Sequence, residues 1–212
     1  MNVLFDLDGT LTNSRKGIVG SLRYALSGVS RRSLSDFILE QHIGLPIRET
    51  FKSLLGSCDQ EEIDAAVALF RDHFSSHGIV ENVVYPGIEE ALNALQALGT
   101  SLYVASSRPH LFVERVLEHC GLKDFFKRAY GCEFDGTRSN KSDLVAHMLK
   151  SESILPSASF LVGDRAHDVV AARANGVLAI GVLWGYGSEQ ELMFAGAVRL
   201  CRRPTELRGT LF

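Results

Sequence analysis

The first apolar run, Val3-Leu4-Phe5, is short and breaks into Asp6-Leu7-Asp8-Gly9-Thr10. A run of that length followed by turn formers predicts a buried strand opening into a polar loop. From Lys16 to about His77 the texture changes. Ile18, Leu22, Ala25 and Leu26 recur at three- and four-residue intervals, and so do Ile63, Ala66, Val67, Phe70 and Phe74. That period belongs to helices with one apolar face. Ser35, ahead of Asp36-Phe37-Ile38-Leu39, marks the start of another helix. No convincing strand interrupts the stretch, which reads as an all-helical unit.

Beyond Tyr85-Pro86-Gly87 the pattern alternates. Ile88, Ala91, Leu92, Leu95 and Leu98 form a helical face that stops at Gly99. Strands are expected at Leu102–Ala105, Arg128–Cys132, Phe160–Val162, Leu178–Val182 and Ala197–Leu200. Helices are expected around Phe112–Leu117, Leu144–Leu149 and Val169–Asn175. Strands alternating with helices of this length predict βαβ units and a mainly parallel sheet with helices on both faces. The expected fold is therefore α/β: a doubly wound, Rossmann-like sheet with a small α-helical domain inserted after its first strand. The core is expected over 1–14 and 83–212, and the insert over 15–82. Hinges fall near Ser14-Arg15 and Asn82-Val83.

Composition narrows the classes. The 212 residues carry 22 Lys+Arg against 25 Asp+Glu, a net charge of -3, so no general basic field invites nucleic acid. A chain of this length with 46% hydrophobic residues can hold a core without disulfides or structural metal. Cys58, Cys120, Cys132 and Cys201 lie far apart and form no C-x-x-C pair, which argues against zinc ribbons and thioredoxin-like redox chemistry. The start lacks a basic leader, and no apolar run approaches the length of a bilayer span. The expectation is a soluble cytoplasmic protein with reduced thiols and no membrane partner.

Open parallel sheets bind ligands at the carboxyl ends of their strands. Asp6 and Asp8 follow the first strand, Ser106-Ser107 the next, and Asp164 and Asp168 a later one. Lys141 opens the helix leading to that later strand. Carboxylates gathered this way repel one another and call for a cation, and a few hard oxygen donors suit Mg2+. Lys141 and the Ser106 hydroxyl suit a phosphoryl group. Backbone N–H groups of the Asp6-to-Gly9 turn offer an anion nest. A carboxylate can also attack phosphorus, giving an aspartyl-phosphate.

Taken in order, Asp6-Leu7-Asp8-Gly9-Thr10-Leu11-Thr12, Ser106, Lys141 and Gly163-Asp164-x-x-x-Asp168 resemble the four motifs of the haloacid-dehalogenase-like phosphohydrolase superfamily. The resemblance covers nearly the whole chain. The helical insert and Gly181-Val182-Leu183-Trp184-Gly185-Tyr186-Gly187-Ser188 are similar to the phosphoglycolate-phosphatase-like branch, whose insert is a cap. The resemblance implies that Asp6 is the nucleophile and Asp8 the general acid and base. Members that act as dehalogenases lack the second of these acids. It implies that phosphate meets Asp6, Leu7, Asp8, Ser106, Ser107 and Lys141. Mg2+ would be held by Asp6, the Asp8 carbonyl and Asp164, with Asp168 supporting from behind. The cap loop Gly44-Leu45-Pro46-Ile47-Arg48 would face the site, and Arg48 would either meet a second anionic group or lie in solvent. Two departures stand out: Asn13 replaces a common acid, and Ser107-Arg108 replaces a common Asn-Lys.

The expected activity is Mg2+-dependent hydrolysis of a small phosphomonoester, phosphoglycolate-phosphatase-like or nucleotidase-like. A phosphomutase or pyrophosphatase of the same superfamily and a non-enzymatic phospho-acceptor remain as alternatives. So does a cysteine-dependent tyrosine phosphatase, because Cys132 and Arg138 have the C-x5-R spacing, although Glu133 and Asp135 would repel a dianion there. His167 reads as an exposed helix residue rather than a base. Asp164 could double as a helix N-cap. Oligomeric state is not written in these patterns.

Overall fold

The computed structural model describes residues 1–30 and 33–211. Arg31, Arg32 and Phe212 belong to the expected domain spans and lie outside the described residues. Strand β1 (Asn2–Phe5) is central, with β4 (Ser101–Pro109) on one side and β6 (Ser159–Gly163) on the other. The sheet order is β5-β4-β1-β6-β7-β8, with β5 at Arg128–Cys132, β7 at Leu178–Val182 and β8 at Arg199–Cys201. Every pairing in it is parallel. The doubly wound α/β architecture is as expected.

Two-residue alternation explains why β1 reads as continuously apolar. Val3 and Phe5 enter one core, which also contains Ile88, Leu92, Val113 and the apolar faces of the insert. Leu4 enters a second core with Tyr103, Leu144, Met148 and Val169. Both faces of the strand are covered, so neither can be polar.

Between β1 and the rest of the sheet run α1 (Arg15–Val29), α2 (Asp36–Glu40), α3 (Ile47–Leu55) and α4 (Gln60–His73). Asp59 caps α4 by accepting from the Glu61 N–H at 2.9 Å, whereas Ser35 makes no side-chain cap bond to α2. The chain leaves and re-enters the sheet region through β2 (Thr12–Asn13) and β3 (Val83–Val84), which pair antiparallel. This ladder is too short to leave a period in the sequence.

Two strands depart from expectation by two or more residues at an end. β4 runs four residues past Ala105 to Pro109, with a register shift against β5 between Ala105 and Pro109. Ser106 therefore sits on strand backbone rather than in a loop. The last strand is Arg199–Cys201 rather than Ala197–Leu200. Gly196 and Ala197 instead close the helix α9 (Glu189–Ala195), both N–H groups donating to Leu192 O.

Candidate active site

The carboxyl edge of β1, β4 and β6 gathers the charges. Asp6 follows β1 directly, and its N–H donates to Val162 O at 2.9 Å. Lys141 is the first residue of α7 (Lys141–Ser151), whose start is fixed by Asn140 accepting from the Ser142 N–H at 2.8 Å. That cap turns the lysine inward, where its Nζ lies 2.5 Å from Asp6 Oδ1 and 2.5 Å from Asp168 Oδ1. Asp168 belongs to the first turn of α8 (Ala166–Ala174), and its Oδ2 accepts from the Arg165 N–H at 3.0 Å. Asp164 does not cap that helix; Arg165 holds the N-cap position. The Asp164 carboxylate instead accepts from the Tyr186 N–H at 2.7 Å and the Thr10 hydroxyl at 3.5 Å.

Asp6, Asp8, Asp164 and Asp168 are all buried. Burial pushes the Asp6 carboxyl up to about 7, with Lys141 pulling it back and Asp168 and Asp8 adding repulsion. Asp164 rises well above the usual range through burial and the neighbouring Asp6 and Asp168 charges. Burial acts the same way on Asp168, but the Lys141 charge and hydrogen bond, His167 and the Arg165 N–H together outweigh it and hold that carboxyl below its ordinary value. Burial disfavours the Lys141 ammonium, yet Asp168 and Asp6 hold its pKa above ordinary.

The donor set fits a hard divalent cation. Oxygens of Asp6, Asp164 and Asp168 lie within 4.8 Å of one another, and Asp6 Oδ2 is buried with no hydrogen-bond partner. A cation held there would offset the mutual repulsion that raises Asp6 and Asp164.

A cavity of about 180 Å3 opens in front of Asp6. Asp8, Ser106, Ser107 and Arg108 line it from the sheet, and Gly44, Leu45, Arg48 and Arg71 from the insert. Lys141, Asp164 and Asp168 stand behind Asp6 and do not form its wall. Leu7 is also absent from the wall, because its side chain belongs to the core. The expected cap loop thus does meet the sheet edge. Arg48 is neither free nor aimed only at the cavity, since it pairs with Asp64 and donates to Gln60 Oε1 at 2.9 Å.

One reading needs correction, one alternative falls, and one motif departure gains a partner. His167 is half-buried rather than exposed, and burial pushes its imidazole down to about 4, so it is neutral at pH 7. Cys132 is buried, donates to Ser107 O at 3.2 Å, and burial pushes its thiol up to about 11. A low-pKa thiolate loop is the reverse of this, and Arg138 turns away to pair with Glu133. Arg108 is more than a departure in a motif. It is buried, grips Asp8 through Nε and through Nη2 at 2.7 Å, and lies 4.1 Å over the Phe74 ring.

Within the 181–188 stretch that carried the family resemblance, no contacts to the site were read from the sequence. Trp184 Nε1 donates to Thr10 O at 2.9 Å, and the Tyr186 hydroxyl accepts from the Ser14 N–H at 2.9 Å. Between and after these rings, Gly185 and Gly187 press on Asp164; a Cβ there would lie 2.4 Å from Asp164 Cβ and 1.9 Å from Asp164 O. Two glycines just past a strand end were the available signal of close backbone approach.

Residues 3–182 match the profile of the haloacid dehalogenase-like hydrolases. The chain belongs to that family. It is 41% identical over 212 residues to a 5′-nucleotidase of Pseudomonas aeruginosa, covering 99% of this chain and 95% of the relative. It is 37% identical to the tyrosine-protein kinase PtkA of Mycobacterium tuberculosis, across 87% of this chain and 62% of that protein. A predicted phosphatase of Clostridium acetobutylicum superposes with a TM-score of 0.94 at 36% identity, over 98% of this chain and 96% of the other. The protein is a hydrolase of the haloacid dehalogenase-like family, and its phosphatase relatives place it among the phosphoric monoester hydrolases. No helix among its described residues is long and apolar enough to cross a membrane.

Proposed function

We propose that this family member hydrolyses a small phosphomonoester through a covalent aspartyl-phosphate on Asp6, with residues 15–82 acting as its cap. One observation carries the reading: Asp6 anchors one oxygen on Lys141 and leaves the other, Oδ2, buried and without a hydrogen bond beside the cavity. A nucleophile needs that combination of fixed orientation and a free lone pair.

Asp6 attacks the phosphorus, the bond to the leaving oxygen breaks, and Asp8 gives that oxygen a proton. Water then attacks the phosphorus, Asp8 takes its proton, and inorganic phosphate leaves with Asp6 restored. Ser106 lines the cavity beside Asp6 and hydrogen-bonds the phosphoryl oxygens. Lys141 pulls Asp6 toward the ionised form that attacks, and Arg108, which grips both Asp8 oxygens, has to release one of them for Asp8 to give and take the proton. Mg2+ held by Asp6 and Asp164, with the Asp8 carbonyl and with Asp168 braced behind them, would neutralise charge between nucleophile and phosphoryl group. The closed cap excludes water during the first transfer.

The nucleotidase relative makes a nucleoside 5′-monophosphate the first substrate to test, followed by 2-phosphoglycolate, a sugar phosphate and pyrophosphate. Acid quenching during turnover of a radiolabelled ester should leave the label on the peptide containing Asp6. Label on Cys132, or turnover with no label on protein, would sink the mechanism. Phosphoryl groups appearing on a sugar or a tyrosine instead of water would replace hydrolysis by transfer.

A further inference from the structure

The turn that carries Asp164 and Asp168 also carries Arg165, whose side chain reaches away from the acids toward the insert. Its guanidinium is mostly covered, with 15% of the side chain exposed. On the sheet side Nε donates to Glu191 Oε1 at 2.9 Å. That carboxylate also accepts from the Ala166 N–H at 2.8 Å, and Glu191 N–H is fixed by Ser188 Oγ at 3.0 Å. On the insert side Nη1 donates to Ile43 O at 2.9 Å and Gln41 O at 3.3 Å. Those carbonyls follow the carboxyl end of α2, where partial negative charge accumulates.

The insert's backbone comes close at the same place. Gly44 has φ +88°, and a Cβ on it would sit 3.1 Å from His167 Cε1. The residues that follow, Leu45 and Arg48 among them, line the cavity. One short loop therefore touches both the substrate space and the turn holding two of the clustered acids. Meanwhile the Arg165 N–H bonds Asp168, so backbone and side chain of a single residue join the acids to the insert.

We propose that Arg165 is a positioning residue that clasps the seated insert and, while clasped, holds the 164–168 turn in the register the acid cluster needs. Its effect on turnover rests on the phosphoester reading above; its effect on loop seating does not. A braced guanidinium facing two carbonyls makes charge-assisted hydrogen bonds, which are stronger than neutral ones. Losing them frees the loop at Gln41–Leu45 and slackens the turn together.

Amide hydrogen exchange on the full chain tests the seating. Arg165→Met should speed exchange across residues 42–45 by about tenfold or more, while β1 and β6 keep their protection. Arg165→Lys should recover part of that protection, because charge is kept and the fork is lost. Unchanged exchange at 42–45 in Arg165→Met overturns the clasp, whatever the enzyme hydrolyses. Turnover supplies a second arm. Arg165→Met should lower kcat/KM by about tenfold to a hundredfold. Gly44→Ala, which crowds the loop off His167, should lower it comparably. If both act through seating, the double variant should lose little more than either alone. Fully additive losses would overturn the coupling. A wild-type protein that hydrolyses no phosphomonoester would sink the proposed function and leave the exchange result standing.

Discussion

The acids at the sheet edge and the ion pairs of the helical insert use the same chemistry in opposite settings. In the insert, Arg23 pairs with Asp36, each side chain more than half exposed at 55% and 57%. Water screens both charges before and after pairing, so such a pair contributes little. At the sheet edge, Lys141 faces Asp6 and Asp168 with side-chain exposures of 3%, 5% and 1%. There desolvation is costly and every charge must be answered. Under the proposed mechanism, the excess of carboxylates at that edge is answered by positive charge brought to it. The insert's charges face water, whereas the sheet-edge charges face one another in a buried cluster.

That contrast can be broken at several points. Asp6→Asn should lower kcat by about a thousandfold or more, with melting temperature shifted only a few degrees. Burial already pushes the Asp6 carboxyl up to about 7, so an uncharged group is well tolerated there. Full activity in Asp6→Asn, read in a phosphate-release assay, would remove the sheet edge from the chemistry. Thiol alkylation compares the two settings next. Exposed Cys58 in the insert should react on the order of a hundredfold faster than buried Cys132, as followed by intact-mass spectrometry.

Lys141→Met leaves Asp6 and Asp168 buried without their cation. Unpairing a buried charge costs about 3–5 kcal/mol, or on the order of 10 °C in melting temperature. Added Mg2+ should return part of that loss by binding the folded state. The pH dependence is smaller. The folded His167 imidazole sits near 4 against an ordinary 6.5, so its protonation favours the unfolded chain. Its stabilising contribution is present above pH 6.5 and is lost as pH falls through 4. His167→Gln should flatten that acid-side fall by about 5 °C in a calorimetric series. The smallest effect belongs to the surface: Arg23→Gln should move the melting temperature by no more than about 2 °C. A larger shift would mean that the insert depends on its ion pairs.

The residues that carry charge at strand ends were legible because burial and polarity conflict there. Asp6, Asp8 and Asp164 interrupt apolar runs, and their order along the chain matches a family pattern. The alternating architecture was legible for the same reason that β1 is apolar throughout: both faces of the sheet are covered. What escaped was chemistry between distant segments. Arg108 gripping Asp8, Arg165 reaching Ile43 and Tyr186 meeting Ser14 join residues about a hundred or more positions apart, and a surface arginine has the same letter as a buried one. His167 was misread because helical position reports which side of α8 it occupies, not that the insert's Gly44 covers it. The β2–β3 ladder escaped because two residues cannot display a period.

That ladder has a consequence for how such a chain can change over generations. Thr12 and Asn13 leave beside Val84 and Val83, so everything between them departs from and returns to one spot on the α/β framework. The parallel sheet is hydrogen-bonded entirely by strands outside that interval. A longer, shorter or unrelated segment grafted between the two crossing strands leaves the sheet's own pairing untouched. Under the proposed role of the insert, trading that module samples new substrates while the acids at the strand ends pass unaltered from one version to the next.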